Sequence, residues 1–247
     1  MRAVVIGPGG IGGEIVRSLV AAGHEVVVGR RGTRADADLP GVPEYPVDVS
    51  DPAACRDFVS DVWRKEGPAD AVVNCFGAMA EGPFLRSDAE VMDRMYETNL
   101  QGVAHVCRAA AFRLMKNGGG AIVNVGSAVS LAGVPGLTAY SASKAALAGF
   151  GRSLAAELAR YRITVNTVSP GFLDSGPTAG RPDAWKRKVA EHVPLGRLGT
   201  PSDVAALVTA LVSPDMSYVT GQEFVVDGGW TLGSAALSRD LLELDRG

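Results

Sequence analysis

Tyr140 and Lys144 stand four residues apart in residues 140–160, a stretch whose Ala and Leu content reads as helix. Residues at i and i+4 share one helical face, with neighbouring side chains. An ammonium beside a phenol stabilises the phenolate, so this spacing predicts a tyrosine pKa below its reference of about 10. A tyrosine lowered in that way exchanges a proton near neutral pH, as a general acid or base must. Ser127 follows the apolar run Ala121-Ile122-Val123-Asn124-Val125, which reads as a buried strand, and so falls at its carboxyl edge. Ligands of open α/β sheets bind at that edge. Taken alone, a Tyr-x-x-x-Lys pair more often marks a solvated helix face than a reactive centre. Its meaning depends on what the rest of the chain builds around it.

The first thirty residues build a nucleotide site. A short β-branched run, residues 2–6, leads directly into Gly7-Pro8-Gly9-Gly10-Ile11-Gly12, then an apolar-periodic helix over 13–22 and a second strand over 25–29. In the order strand, GxGxxG, helix, strand, the glycines permit a tight turn and pyrophosphate rests on the helix N-terminus. The end of the second strand chooses the cofactor. A carboxylate there binds ribose hydroxyls, whereas arginine accommodates a 2′-phosphate. The sequence reads Val27-Val28-Gly29-Arg30-Arg31, with no carboxylate until Asp36, which favours NADP(H) through Arg30 and Arg31. Two exposed loop arginines are the bland alternative. Val47-Asp48-Val49-Ser50-Asp51 ends a third strand, a helix runs over 52–65, and a fourth strand over 69–74 ends in Asn74-Cys75-Phe76-Gly77. Asp48 and Asn74, at strand ends, either touch adenine or ribose or cap a turn.

Bulk properties bound the rest. A chain of 247 residues fits one large α/β domain, here 1–247, with an ordinary 47% hydrophobic and 21% charged content. A net charge of −3 without a basic block argues against nucleic acid or an anionic membrane as partner. Cys55, Cys75 and Cys107 show neither metal-ligand spacing nor a disulfide framework, and no secretory signal precedes the first strand. Both point to the cytoplasm.

In the second half, residues 87–115 read as one long helix with the start signal Ser87-x-x-Glu90. Asn99 in its interior is a poor helix former and calls for a local kink or a bound water. A fifth strand leads to Ser127, small residues line much of the 140–160 helix, and a sixth strand over 163–169 ends in Pro170-Gly171. Residues 174–193 are polar and interrupted by Gly and Pro, which suits a mobile lid. A helix over 201–212 and a strand over 223–226 follow. The pattern predicts a single α/β domain of Rossmann type, doubly wound, with a seven-stranded, mostly parallel sheet and helices on both faces.

At this point the chain resembles the short-chain dehydrogenase/reductase family over about residues 1–230, and within it the 3-oxoacyl-carrier-protein reductases. The ordered landmarks are the glycine motif, Asp48, Asn74-x-x-Gly77, Asn99, Ser127, Tyr140-x-x-x-Lys144, Pro170-Gly171, Pro194-Leu-Gly-Arg-Leu-Gly-Thr-Pro201 and Asp227-Gly-Gly229. The resemblance implies that Tyr140 donates a proton to a substrate carbonyl as hydride arrives from nicotinamide. It implies that Lys144 lowers the Tyr140 pKa and holds the ribose hydroxyls, that Ser127 binds the carbonyl, and that Asn99 holds a water. Ser175 stands where the family usually has a carboxamide-binding Thr. The implied cofactor contacts are Gly7, Gly9, Gly10, Ile11, Gly12, Arg30, Arg31, Asp48, Val49, Asn74, Gly77, Tyr140, Lys144, Pro170, Gly171 and Ser175.

Four departures qualify the likeness. The glycine motif is one residue short and lacks its Thr. Asn-Asn-Ala-Gly is replaced by Asn74-Cys75-Phe76-Gly77, which puts a ring near the cofactor. The basic patch around Lys116 is thin, although Arg160 and Arg162 partly compensate. Residues 231–247 extend past the usual end, with Leu237, Leu241, Leu242 and Leu244 at helical spacing. The expected function is an NADP(H)-dependent ketoreductase acting on a ketone or secondary alcohol, either free or carrier-bound. A 3-oxoacyl thioester reductase is the alternative and a non-catalytic dinucleotide sensor the remote one. The family implies a homotetramer or homodimer paired through the helices at 88–115 and 140–160.

Overall fold

Short β-branched runs alternating with longer helical stretches must fold with the runs side by side and the helices layered over them. The computed structural model describes residues 1–32 and 39–233. Asp36 and the leucine-rich part of the C-terminal extension therefore lie outside the described residues. Strand β1 (Arg2–Ile6) leads to helix α1 (Ile11–Ala21), then β2 (Glu25–Arg30), β3 (Glu44–Pro46), α2 (Pro52–Lys65) and β4 (Ala71–Asn74). There follow α3 (Ala89–Tyr96), α4 (Gly102–Lys116), β5 (Gly120–Val125), α5 (Thr138–Leu158) and β6 (Ile163–Pro170). Helices α6 (Asp183–Ala190) and α7 (Pro201–Val212) precede β7 (Glu223–Val226).

The seven strands form one sheet in the order β3-β2-β1-β4-β5-β6-β7, and every pairing is parallel rather than mostly so. Its strands are apolar on both faces because both faces are covered. Ala3, Val5, Val28 and Val73 pack under α1 and α7, while Val4, Ile6, Val27 and Val72 pack under α2 and α4. Ile122 and Val165 continue the second layer beneath α5. The strand order reverses between β1 and β4, so a crevice opens at their carboxyl ends.

The long helix expected over 87–115 is not one helix. A 3₁₀ turn occupies Phe84–Arg86, α3 starts at Ala89 with no side-chain cap on Asp88, and a π-helical turn at Glu97–Gln101 separates α3 from α4. The third strand ends at Pro46, so Asp48 and Val49 lie in the turn after it. The 174–193 segment holds a 3₁₀ turn at Gly176–Thr178 and helix α6. Among the described residues no helix is long and apolar enough to cross a membrane.

Candidate functional site

The crevice begins at the turn after β1. Gly7 follows the strand, with its N–H donated to Gly29 O at 2.9 Å, and Gly10 is the N-cap of α1 without any side-chain cap bond. A Cβ on Gly12 would lie 1.9 Å from Gly7 O, so the strand and helix approach as closely as only glycine allows. Gly9 and Gly10 are exposed and, with Ile11, line the crevice floor at the start of the helix. A helix N-terminus with no side chain over it suits an anion such as pyrophosphate.

Ser127, Tyr140, Lys144 and Asn99 come together at the carboxyl edges of β4 and β5. Ser127 is 8% exposed and caps a 3₁₀ turn, Ala128–Ser130. Its hydroxyl hydrogen-bonds to the Tyr140 side chain, in the first turn of α5. Lys144 is buried, and its Nζ donates to Val125 O at 2.8 Å. Nζ lies 6.0 Å from the centroid of the Tyr140 ring. The expected effect of the lysine on the tyrosine is not found. Burial pushes the Tyr140 pKa above 10.0, the Ser127 hydrogen bond alone pulls it down, and burial draws Lys144 down to about 8. The physical reason is that desolvation of the phenol outweighs the other influences on it, with Nζ 6.0 Å from the ring centroid and directed at a strand-end carbonyl.

Asn99 accounts for the π turn. It is fully buried, accepts the Ala78 N–H at 2.8 Å, and donates to Ala78 O and Ser143 Oγ, both at 2.9 Å. Ser143 Oγ in turn donates to Tyr140 O at 2.7 Å. The amide thus ties the loop after β4 to the turn carrying the tyrosine. At Gly77 a Cβ would sit 3.0 Å from Asn99 Oδ1 and 3.4 Å from Lys144 Nζ, so a side chain there would crowd both.

A carboxylate missed by the sequence reading supports this cluster from below. Glu223 on β7 accepts from Ser169 Oγ at 2.7 Å and from Ser130 Oγ at 3.3 Å, and Ser130 Oγ also donates to Ser127 O at 2.6 Å. In the sequence Glu223 is only the first residue of the 223–226 strand. The available signal was Ser169, a hydroxyl in a strand otherwise buried on both faces, which needs a partner.

Two expected cofactor residues are placed elsewhere. Asn74 is 1% exposed, and its Nδ2 donates to Asn124 Oδ1 at 2.9 Å and to Cys107 Sγ at 3.4 Å. Register pairs Asn74 with Asn124, so the amide points into the layer beneath α4 and not into the crevice. Arg30 is 9% exposed, with Nη1 held 2.6 Å from Glu44 Oε2 on the neighbouring strand. Its Nε has no partner among the described residues. Arg31, by contrast, is exposed and lines a hollow with Gly32, Tyr45, Asp48 and Lys65. Asp48 caps its own turn, accepting from the N–H and hydroxyl of Ser50, which hold its pKa below the usual value. Val49 is half-buried against Gly102, where its Cγ2 would meet an added Cβ at 3.1 Å.

The crevice continues from the glycine turn past Ser127 and Tyr140 into a cavity of about 600 Å³. Pro170, Gly171 and Ser175 border it, as do Phe172 and Trp185 from the 174–193 side. Phe76, expected near a cofactor, lines the wall while its ring edge reaches towards Gly102. A cavity of this size between strand ends, with few polar groups converging on one point, is an ordinary small-molecule site. Among the described residues no cluster of His, Cys, Asp or Glu could hold a metal.

Comparison with known proteins agrees with the geometry. The family model described as enoyl-(acyl carrier protein) reductase matches residues 5–231. The 3-oxoacyl-(acyl-carrier-protein) reductase MabA of Mycobacterium tuberculosis is 33% identical over 234 residues, 94% of each chain. Nodulation protein G of a Rhizobium species is 38% identical over 241 residues, 92% of this chain and 96% of that one. A solved short-chain type dehydrogenase/reductase from Mycobacterium ulcerans superposes with a TM-score of 0.86 at 28% identity, covering 94% of this chain and 90% of its own. With its parallel sheet, its glycine turn and relatives along almost its whole length, the chain belongs to the short-chain dehydrogenase/reductase family of oxidoreductases.

Proposed function

We propose that the protein is an NADP(H)-dependent ketoreductase that interconverts a ketone and a secondary alcohol. The observation that carries this reading is the convergence of Ser127, Tyr140 and Lys144 on a cavity continuous with the glycine turn. The bare helix N-terminus at Gly9-Gly10-Ile11 fits the pyrophosphate of a dinucleotide. The dinucleotide, when bound, supplies or accepts the hydride. Tyr140 delivers the proton to the carbonyl oxygen, and the Ser127 hydroxyl binds that oxygen as charge develops on it. Lys144, still protonated at neutral pH with a pKa of about 8, holds positive charge beneath the site. Asn99 and Gly77 keep the loop after β4 in register, and Pro170, Gly171 and Ser175 border the nicotinamide end.

For the 2′-phosphate we favour Arg31. Glu44 already neutralises Arg30, whereas the Arg31 side chain is exposed over the hollow beside Asp48. The 174–193 segment serves as the substrate lid, and we place the protein in the cytoplasm, in keeping with three free cysteines. Pairing of α4 and α5 with a second copy makes a homodimer or homotetramer, consistent with the exposed alanines Ala145 and Ala156 on α5.

The test is NADPH oxidation against a panel of free ketones and 3-oxoacyl thioesters, with NADH in parallel. Turnover with free ketones and preference for NADPH is the expected result. Preference for thioesters moves the assignment to a 3-oxoacyl reductase, the activity in the name of the M. tuberculosis relative. Tight NADPH binding without turnover of any carbonyl would sink the enzymatic reading. Arg31→Asp should raise the KM for NADPH about tenfold or more relative to NADH, since one charge-assisted phosphate contact is worth roughly 1.5–3 kcal/mol. Equal effects on both cofactors remove Arg31 from that role.

A further inference from the structure

The far end of the cavity has a composition that selects among ketones. Met79 comes from the loop after β4, Val134 and Leu137 from the segment before α5, and Phe172, Trp185 and Val189 from the far side. Phe172 meets Trp185 edge-on at 5.9 Å and Trp230 edge-on at 5.0 Å, so this wall is a packed aromatic cluster. Three charged side chains line the cavity among the described residues: Glu81, Lys144 and Arg181. Each already has a partner within the protein. Lys144 is 4% exposed and bonded to Val125 O. Arg181 Nη2 donates to Glu81 Oε2 at 2.5 Å, and its guanidinium lies 5.4 Å from the centroid of the Trp185 ring.

The Glu81–Arg181 pair joins the loop after β4 to the segment before α6, across a sequence separation of 100 residues. A backbone bond from Gly82 N to Gly136 O, 2.9 Å, ties the same loop to the segment before α5. The pair therefore sits where three walls of the cavity meet. A substrate anion arriving there finds its one reachable cation neutralised and a carboxylate beside it. The side chains of the pair stay 39% and 51% exposed, so the anion keeps part of its hydration but gains no free cation in return for the part it loses. An uncharged ring loses no such hydration and gains an aromatic wall.

Resting on the ketoreductase reading, we propose that the substrate is an uncharged ketone with an apolar, ring-bearing far end, and that the Glu81–Arg181 pair excludes ketones carrying a carboxylate or phosphate. The pair acts as a charge filter: Glu81 keeps Arg181 from serving as an anion site.

Two probes of the same shape test this, 4′-methylacetophenone and 4-acetylbenzoate, which differ by a methyl group against a carboxylate. Binding is read by quenching of tryptophan fluorescence in the NADP⁺-loaded protein, because Trp185 lines the wall and Trp230 packs behind it against Phe172, and turnover is read separately. The uncharged probe should bind at least about tenfold more tightly. Glu81→Gln should shift the affinity ratio about tenfold towards the carboxylate by freeing Arg181, and Arg181→Met, which leaves Glu81 uncompensated, should shift it the other way. Equal binding of both probes by the unaltered protein, or a ratio that neither variant moves, overturns the filter. Selective binding without turnover leaves the filter standing and counts against the ketoreductase reading instead.

Discussion

Burial raises the Tyr140 pKa above its ordinary 10.0, and the hydrogen bond from Ser127 is the one local influence that opposes the rise. Two roles in the proposed mechanism therefore meet in one hydroxyl. Ser127 binds the carbonyl oxygen as charge develops on it, and once the proton has moved, its hydroxyl stabilises the phenolate left on Tyr140. Ser127→Ala should consequently lower kcat by about 10²–10³, the cost typical of a lost oxyanion donor. It should also move the alkaline titration of Tyr140 to higher pH, read as phenolate absorbance after subtracting the Tyr140→Phe protein. A kcat loss with an unmoved titration would assign Ser127 to substrate alone. The residue types of this centre were legible in the sequence, because Tyr-x-x-x-Lys fixes which side chains share a helical face. Their partners were not. Lys144 reaches Val125 O at the end of β5, and Arg30 finds Glu44 across a strand pairing. Neither contact is encoded in spacing along one element.

Helices whose ends are written locally are found where the sequence puts them. Asp51 caps α2 through the Ala53 N–H, and Thr200 with Asp203 forms a reciprocal capping box on α7, each with Pro in the first turn. The stretch from Ser87 onward fails because its break is imposed from outside. A π turn adds a residue to the helical turn, and such turns gather at functional sites. Here the widened turn lets the buried Asn99 amide reach Ala78 and Ser143 instead of facing its own helix. Asn99 alone signalled a disturbance, but only the loop after β4 defines it. Asn99→Leu should strip Ala78 and Ser143 of their partners, at roughly 1–3 kcal/mol for each group left unsatisfied. Thermal unfolding should show a lower Tm, and kcat should fall with it because Ser143 is bonded to the Tyr140 carbonyl. Asn99→Asp keeps the acceptor for the Ala78 N–H and should recover part of the stability. Full activity in the leucine variant would mean that the π turn holds itself.

At the scale of the molecule, covering both sheet faces creates the crevice and also buries ionisable groups, Cys55 and Cys107 within the layers and Cys75 and Lys144 against the crevice wall. Cys55, Cys75 and Cys107 are free, and burial pushes their thiols from 9.0 to about 11, about 12 and about 12. Lys144 moves the opposite way, from 10.5 to about 8. These shifts give the protein an alkaline stability curve of definite shape. Between pH 8 and 10.5 the unfolded chain holds a proton on Lys144 that the folded chain has released, so stability rises with pH. Above pH 9.0 the folded chain keeps thiol protons that the unfolded chain has lost, so stability falls as pH climbs towards 11–12. Each proton contributes a slope of about 1.4 kcal/mol per pH unit. Three thiols outweigh one ammonium, so the curve should turn over once the thiols of the unfolded chain begin to ionise. Urea denaturation of the cofactor-free protein under reducing conditions, from pH 7.5 to 11, should trace that maximum. Lys144→Met should remove the rising limb and leave the falling one. A stability that goes on rising beyond pH 10 would mean that the thiols reach water and that the layers over the sheet are not closed.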